Sequence, residues 1–326
     1  MKKRTPLYVA LVMLSVISHG CGSGSPSNPP MQPAAPIFWG IAYGPFRAGQ
    51  SPNGGPQPTV NQMRDDIPRL ALLGGRVRTY TVSGNQAQIP DLAYQQGLKT
   101  WAGAWIGPVL TQNDSEIHNV IAVASQPGVE AVIVGNEVLL RGDVTSAQLV
   151  SYIRQVKSHV SVPIAYTDTW DTLEQHPEVV KEVDIVLANV HPYWFGIPST
   201  RGADYVLARF QELQTKYPNK QIAVGETGWP SAGSPHGLAI PGATQQREFF
   251  NGLIAVLKQH PELRVFAFEA FDEAFKQDAD VEPHWGIYNQ DGSTKSGLVP
   301  LIPSEPADPT RHTGTAEAAP GHNRAR

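Results

Sequence analysis

Cysteine is all but absent. Cys21 is the single one in 326 residues, so the chain forms no internal disulfide and no zinc site built on several thiolates. An excess of positive charge is missing too: 25 Lys and Arg stand against 29 Asp and Glu, a formal net charge of −4. Without a basic patch to track a phosphate backbone, no nucleic-acid partner is expected. The chain carries no G-x-G-x-x-G turn and no Walker motif, which removes the usual signatures of nucleotide binding. It has no H-E-x-x-H among its ten histidines and no G-x-S-x-G elbow, so neither a zincin nor an α/β-hydrolase reading applies. No metal and no cofactor are implied.

What is present is 41% hydrophobic and 17% charged, too apolar for a disordered chain and long enough for one large domain or two ordinary ones. The 30 glycines and 29 prolines together fall short of the ~25–30% share that marks low complexity throughout. The prolines crowd at Pro26–Pro36 and Pro300–Pro309 and so flank a folded middle.

The start, Met1-Lys2-Lys3-Arg4, is positive, and the apolar stretch Leu7–Ile17 is shorter than the ~20 residues a membrane span needs. It suits the core of a signal peptide. Ser18-His19-Gly20-Cys21 resembles a bacterial lipobox, although His19 is an odd neighbour and Ser18 stands where Leu is usual. Residues 1–21 therefore read as an export signal, with Cys21 the expected site of lipid attachment and a membrane the expected partner. Cleavage of a plain secretory peptide is the alternative. Residues 22–36 read as a Pro/Gly/Ser tether and 303–326 as a disordered tail. About 265 residues remain, 37–302, the usual size of a (β/α)₈ barrel.

Within that span, apolar β-rich runs alternate with helical patterns. The runs are Phe38–Tyr43, Gly75–Tyr80, Lys99–Ile106, Val129–Glu137, Pro163–Trp170, Asp184–Trp194, Gln221–Glu226 and Arg264–Phe271. Apolar residues at three- and four-residue spacing mark helices over Val60–Leu73, Asp114–Gln126, Ser146–Val160, Tyr205–Tyr217 and Thr244–His260, with Ser146 a candidate cap. Eight alternating strands predict a single-domain TIM barrel of the α/β class, with a doubly wound sheet as runner-up.

In such a barrel the C-terminal strand ends form the active face. Tyr43, Tyr80, Trp105, Trp170, Tyr193 with Trp194, Trp229 and Phe271 fall at or just beyond seven of them, and Glu137 and Glu226 close the fourth and seventh. Aromatic faces complement the apolar C–H face of a sugar, and carboxylates its hydroxyls. Two glutamates ending apolar strands, each in a Val-Gly(-Asn)-Glu setting, fit the carboxyl pair that glycoside hydrolysis requires. Glu116, Glu130, Glu174 and Glu178 read as solvated.

Gly40-Ile41-Ala42-Tyr43-Gly44, Val77-Arg78-Thr79-Tyr80, Val134-Gly135-Asn136-Glu137-Val138, Gly225-Glu226-Thr227-Gly228-Trp229-Pro230 and Phe271-Asp272-Glu273-Ala274-Phe275-Lys276, with Glu282-Pro283-His284-Trp285 beyond it, resemble glycoside hydrolase family 17. That family holds β-1,3-glucanases and β-1,3-glucanosyltransferases on a (β/α)₈ barrel. The resemblance implies a retaining mechanism with Glu137 as acid/base and Glu226 as nucleophile. It implies that Asn136 binds the sugar 2-hydroxyl, that Tyr193 hydrogen-bonds the nucleophile, and that Tyr43, Tyr80, Trp229, Glu273, Lys276 and Glu282 line the cleft. Lys276 is the one cation placed beside the carboxylates, where it helps keep Glu226 ionised. Asn136 and Glu137 adjoin in sequence, so for both to face the cleft the strand must end or bulge there. The chain is compact between strands six and seven and has no first-strand cysteine of the plant type, so it resembles the bacterial exported members more; a monomer acting on β-glucan is expected. Transfer to a sugar instead of water, a barrel glycosidase of another specificity and a non-catalytic glycan-binding lipoprotein are the alternatives.

Overall fold

The computed structural model describes residues 36–299, 301 and 302. The leader, Cys21, the tether up to residue 35 and the tail lie outside the described residues.

The eight runs become eight parallel strands closed into a barrel: β1 (Gly40–Ala42), β2 (Arg76–Arg78), β3 (Lys99–Ala104), β4 (Val129–Asn136), β5 (Ile164–Thr169), β6 (Ile185–Asn189), β7 (Gln221–Thr227) and β8 (Val265–Ala267). Each pairs with its sequence neighbour, and β1 pairs with β8. The helices are α1 (Val60–Leu73), α2 (Ile89–Gln95), α3 (Leu110–Val123), α4 (Ser146–Lys157), α5 (Trp170–Gln175), α6 (Pro177–Glu182), α7 (Ser199–Lys216) and α8 (Ala243–Gln259). α2, α5 and α6 went unanticipated because six or seven residues are too few to establish a 3.6-residue period. The cap of α4 is Thr145, one residue earlier than expected, and it forms a reciprocal capping box with Gln148.

Alternation along the strands divides the apolar side chains into two sets. Trp101, Ala131, Ile133, Ala165, Ile185, Leu187, Ala223 and Phe266, all from strands, form one compact cluster of their own. Trp39 joins it, edge-on to Trp101 and Phe266 at 5.2 and 5.0 Å. Such a set fills a barrel's interior. The intervening residues, such as Val132, Val134, Val186 and Val224, pack in a second cluster with helix residues including Leu149, Ile153, Val206 and Phe249. The interior is thus plugged, leaving the strand ends as the place where polar chemistry is found.

Two of the four glutamates read as solvated are held. Glu130 accepts from Arg76 Nε and Nη2 at 2.5 and 2.9 Å and from the Trp101 indole N–H at 2.8 Å. Glu116 of α3 accepts from the Thr81 hydroxyl at 2.8 Å, from Ser83, and from the Trp105 backbone N–H at 3.0 Å. Their hydrogen-bond partners lie on other strands and loops, beyond what helix or turn position alone reveals.

Candidate active site

The end of β4 departs from regular pleating. Its register against β5 shifts between Ile133 and Asn136, Gly135 has φ 88°, and Glu137 has φ 51°. A left-handed conformation at a glutamate is costly. It is held here by the Glu137 N–H donating to the Thr167 carbonyl at 2.9 Å. A Cβ at Gly135 would meet Val138 at 2.6 Å, so only glycine passes this bend. The irregularity shifts the phase by one residue: Asn136 turns inward, and Glu137 follows it.

Glu226, on β7, is 4% exposed. Its Oε1 receives Arg78 Nη1 at 2.9 Å and the Tyr80 hydroxyl at 3.0 Å, and its Oε2 lies 3.2 Å from His191 Nε2. Burial pushes this carboxyl up, but the Arg78 charge, the His191 contact and the more distant Lys276 outweigh it and hold the carboxyl below its ordinary range. Glu137 behaves oppositely. Burial and then the Glu226 charge push it up to about 6, against the Asn189 amide that donates to its Oε1 at 2.9 Å. Two carboxyls on facing strands are therefore driven apart, one toward holding a proton and one toward holding charge.

Arg78 and Asn189 knit the pair together. Arg78, 1% exposed, also donates to the Gly225 carbonyl and, at 2.5 Å, to Asn136 Oδ1. Asn189 closes β6 and is oriented by the Thr167 hydroxyl, which donates to its Oδ1 at 2.9 Å. Neither was assigned from sequence, although Arg78 lies inside one of the motifs. Lys276 is thus not the sole cation here. It pairs with Glu269 and Glu273 at 2.7 and 2.8 Å, and Glu269, buried at 1% exposure, is a third residue that sequence reasoning missed. Glu282 sits in the turn Glu282–His284, where burial raises its carboxyl and the Lys276 and His191 charges oppose that.

Three other expectations are corrected. Tyr193 does not reach the nucleophile candidate: its hydroxyl donates to the Ser234 carbonyl at 2.6 Å, and the tyrosine on Glu226 is Tyr80. Tyr43 is fully buried, bonded to Asp66 at 2.8 Å. Trp229 is fully buried as well, its indole donating to the Ile240 carbonyl at 3.0 Å and packing on Phe249. Large aromatics at these strand ends pack beneath the loops, so neither Tyr43 nor Trp229 offers a face to a ligand. The open rings are Trp105, Trp194 and Phe195, at 41%, 38% and 42% exposure. Among the described residues, no group of three or more His, Cys, Asp or Glu could hold a metal ion.

Comparison with known proteins gives the family of the chain. The BtgE/BtgC glycoside hydrolase domain family matches residues 40–286. The chain is similar to a glucan 1,3-beta-glucosidase of Candida albicans, 28% identical over 281 residues that cover 78% of this chain and 91% of that one. It is also similar to a probable glucan endo-1,3-beta-glucosidase, btgC, of Aspergillus flavus, 28% identical over 74% of this chain but only 40% of the relative. The chain thus spans about two fifths of the length of that relative. Among solved structures, a glycoside hydrolase family 17 beta-1,3-glucanosyltransferase from Rhizomucor miehei superposes with a TM-score of 0.69 at 30% identity, covering 80% of this chain and 96% of that one.

Proposed function

The chain belongs to glycoside hydrolase family 17, as a BtgE/BtgC glycoside hydrolase domain, and on that premise we propose that it cleaves β-1,3-glucan with retention of configuration. The observation that carries this reading is the divergence of the carboxyl pair: Glu226 ionised against Arg78, and Glu137 pushed up to about 6. Glu226 attacks the anomeric carbon. The bond from that carbon to the glycosidic oxygen breaks as Glu137 gives its proton to the leaving oxygen. Glu137 then takes a proton from water, whose oxygen displaces Glu226 from the anomeric carbon. Retention requires the two carboxyls ~5–5.5 Å apart. Asn136 serves the 2-hydroxyl of the sugar being transferred. Tyr80 and the Glu273–Lys276 pair wall the same subsite, with Glu282 at its edge.

Transfer to a second sugar is the companion reading, supported by the likeness to the Rhizomucor miehei glucanosyltransferase. It uses the same residues, with a sugar hydroxyl in place of water. A time course on laminari-oligosaccharides separates the two: shorter products alone mean hydrolysis, products longer than the input mean transfer. Glu137→Ala and Glu226→Ala are each expected to lower kcat at least ~10³-fold with the fold retained. Normal turnover in either variant would overturn the assignment. A fully inert wild type would favour a glycan-binding role or another linkage.

For its location we infer export, on the strength of the basic, apolar and Ser-His-Gly-Cys order of residues 1–21. Lipid attachment at Cys21 would then tether a monomeric barrel to the envelope of a bacterial cell through residues 22–36. Metabolic labelling with a fatty acid tests this, since the label should be lost in Cys21→Ser.

A further inference from the structure

One exposed aromatic side chain at the barrel mouth is built into place. Trp105 follows β3 with 41% of its surface open, yet its loop is clamped at three successive residues. The Trp105 N–H donates to Glu116 at 3.0 Å. The Ile106 carbonyl accepts from Arg141 Nη2 at 3.3 Å. Gly107 exchanges two hydrogen bonds of 2.8 Å with the buried side chain of Asn113. The Arg141 guanidinium also lies over the indole, 4.5 Å from its centroid, so one ring face is occupied by a cation while much of the ring remains open.

Arg141 is fixed in turn. It pairs with Asp143 at 2.7 Å and donates to the Asn136 carbonyl at 2.6 Å, and its own N–H donates to the Glu137 carbonyl at 3.0 Å. The indole is therefore braced on the backbone that carries the proton donor. Three side chains, one of them a stacked guanidinium, are more than burial of this ring would require, because the ring is not buried. A rigid, open aromatic face is what a pyranose ring stacks on.

Resting on the β-1,3-glucan reading above, we propose that Trp105 is the platform for a glucosyl unit beyond the first on the leaving-group side of the scissile bond, the side on which Glu137 delivers its proton. The same platform holds an incoming acceptor sugar when transfer occurs. Glu116 and Arg141 are positioning residues that keep the indole in place.

The test is the cleavage register of laminarihexaose labelled at its reducing end. Weakening a subsite on the leaving-group side favours registers with fewer units there, so Trp105→Ala should shorten the labelled fragment. The ratio between adjacent cleavage positions should change about tenfold, the worth of one aromatic stack. Trp105→Phe, which keeps a smaller ring face, should restore most of the wild-type pattern. Arg141→Met, which leaves the indole but removes its brace, should shift the register in the same direction by less. A longer labelled fragment in Trp105→Ala would put the ring on the opposite side and overturn the proposal, and an unchanged pattern would overturn it as well. Cleavage by the wild-type chain is read separately and decides the functional reading on its own.

Discussion

Arg78 Nη1 stands 2.9 Å from Glu226 Oε1 while Nη2 of the same guanidinium stands 2.5 Å from Asn136 Oδ1. One rigid fork from β2 thus fixes a carboxylate on β7 and an amide on β4. A planar guanidinium can do both at once because its donors diverge at set angles, whereas an ammonium is a single point of charge. The arrangement keeps Glu226 charged at 4% exposure, where an unpaired carboxylate would take up a proton.

Replacing Arg78 should therefore cost more than a binding contact. Arg78→Lys retains charge but cannot span both partners, and kcat is expected to fall ~10²-fold. Arg78→Met strands a buried carboxylate, with a loss of ~3–5 kcal/mol in stability. Steady-state kinetics of the first variant and denaturant unfolding of the second check these figures. Equal kcat in wild type and Arg78→Lys would show that the fork geometry is dispensable.

The pH profile follows from the two carboxyls. On the proposed mechanism Glu137 must hold a proton to act on the leaving oxygen, and its carboxyl is pushed up to about 6. The rate should fall as pH rises through that value, while the acid limb, set by Glu226, lies below the ordinary carboxylate range. Because the Glu226 charge is the second cause of the rise at Glu137, Glu226→Gln should move the Glu137 titration downward. Carboxyl ¹³C NMR of that inactive variant reads the shift directly. An unmoved titration would mean that Glu226 is not charged beside it.

Much of this was legible in the sequence, and the reasons for the exceptions are physical. Buried parallel strands are continuous apolar runs, so all eight stood out, and Glu137 and Glu226 stood out as charges closing two of them. Arg78 did not receive a role because Arg76-Val77-Arg78 reads like an exposed alternation. Of its two arginines, one pairs with Glu130 at the half-open end and the other is buried against Glu226 and Asn136. Choosing Tyr193 over Tyr80 failed for a different reason. The loop after β6 turns through Pro192–Phe195 and carries the Tyr193 hydroxyl to Ser234, a path that no periodicity encodes. Exposure of the aromatics was equally hidden: Trp105 and Trp229 look alike as strand-end tryptophans, yet one is 41% open and the other closed.

Gly44 is a sharp test of the charged wall behind the site. A Cβ there would lie 2.0 Å from Glu273 Oε1, and Glu273 in turn holds Lys276 at 2.8 Å. Gly44→Ala should force Glu273 aside and cost ~1–3 kcal/mol. It should also loosen Lys276, whose charge helps lower the Glu226 carboxyl, and so raise the acid limb of the pH profile. A thermal melt and a rate profile on the same preparation measure both effects. Loss of stability with an unmoved acid limb would confine Glu273 to a structural part.

The two tyrosines separate a role in the reaction from a role in the fold. The Tyr80 hydroxyl donates to Glu226 Oε1 at 3.0 Å, and on the proposed mechanism that bond must weaken once the carboxylate has become an ester with the sugar. Tyr80→Phe deletes one donor to the anion, so the free nucleophile is less stabilised and its carboxyl rises, while the covalent intermediate loses less. The expected result is an acid limb shifted upward, together with a kcat that changes ~10-fold or more. Tyr193→Phe removes only a bond to the Ser234 carbonyl. Its effect should appear as ~1 kcal/mol of stability, with the acid limb where it was. The paired pH profiles decide which tyrosine serves the carboxylate: an acid limb that moves in Tyr193→Phe and stays put in Tyr80→Phe would reverse the assignment drawn from these two hydroxyls.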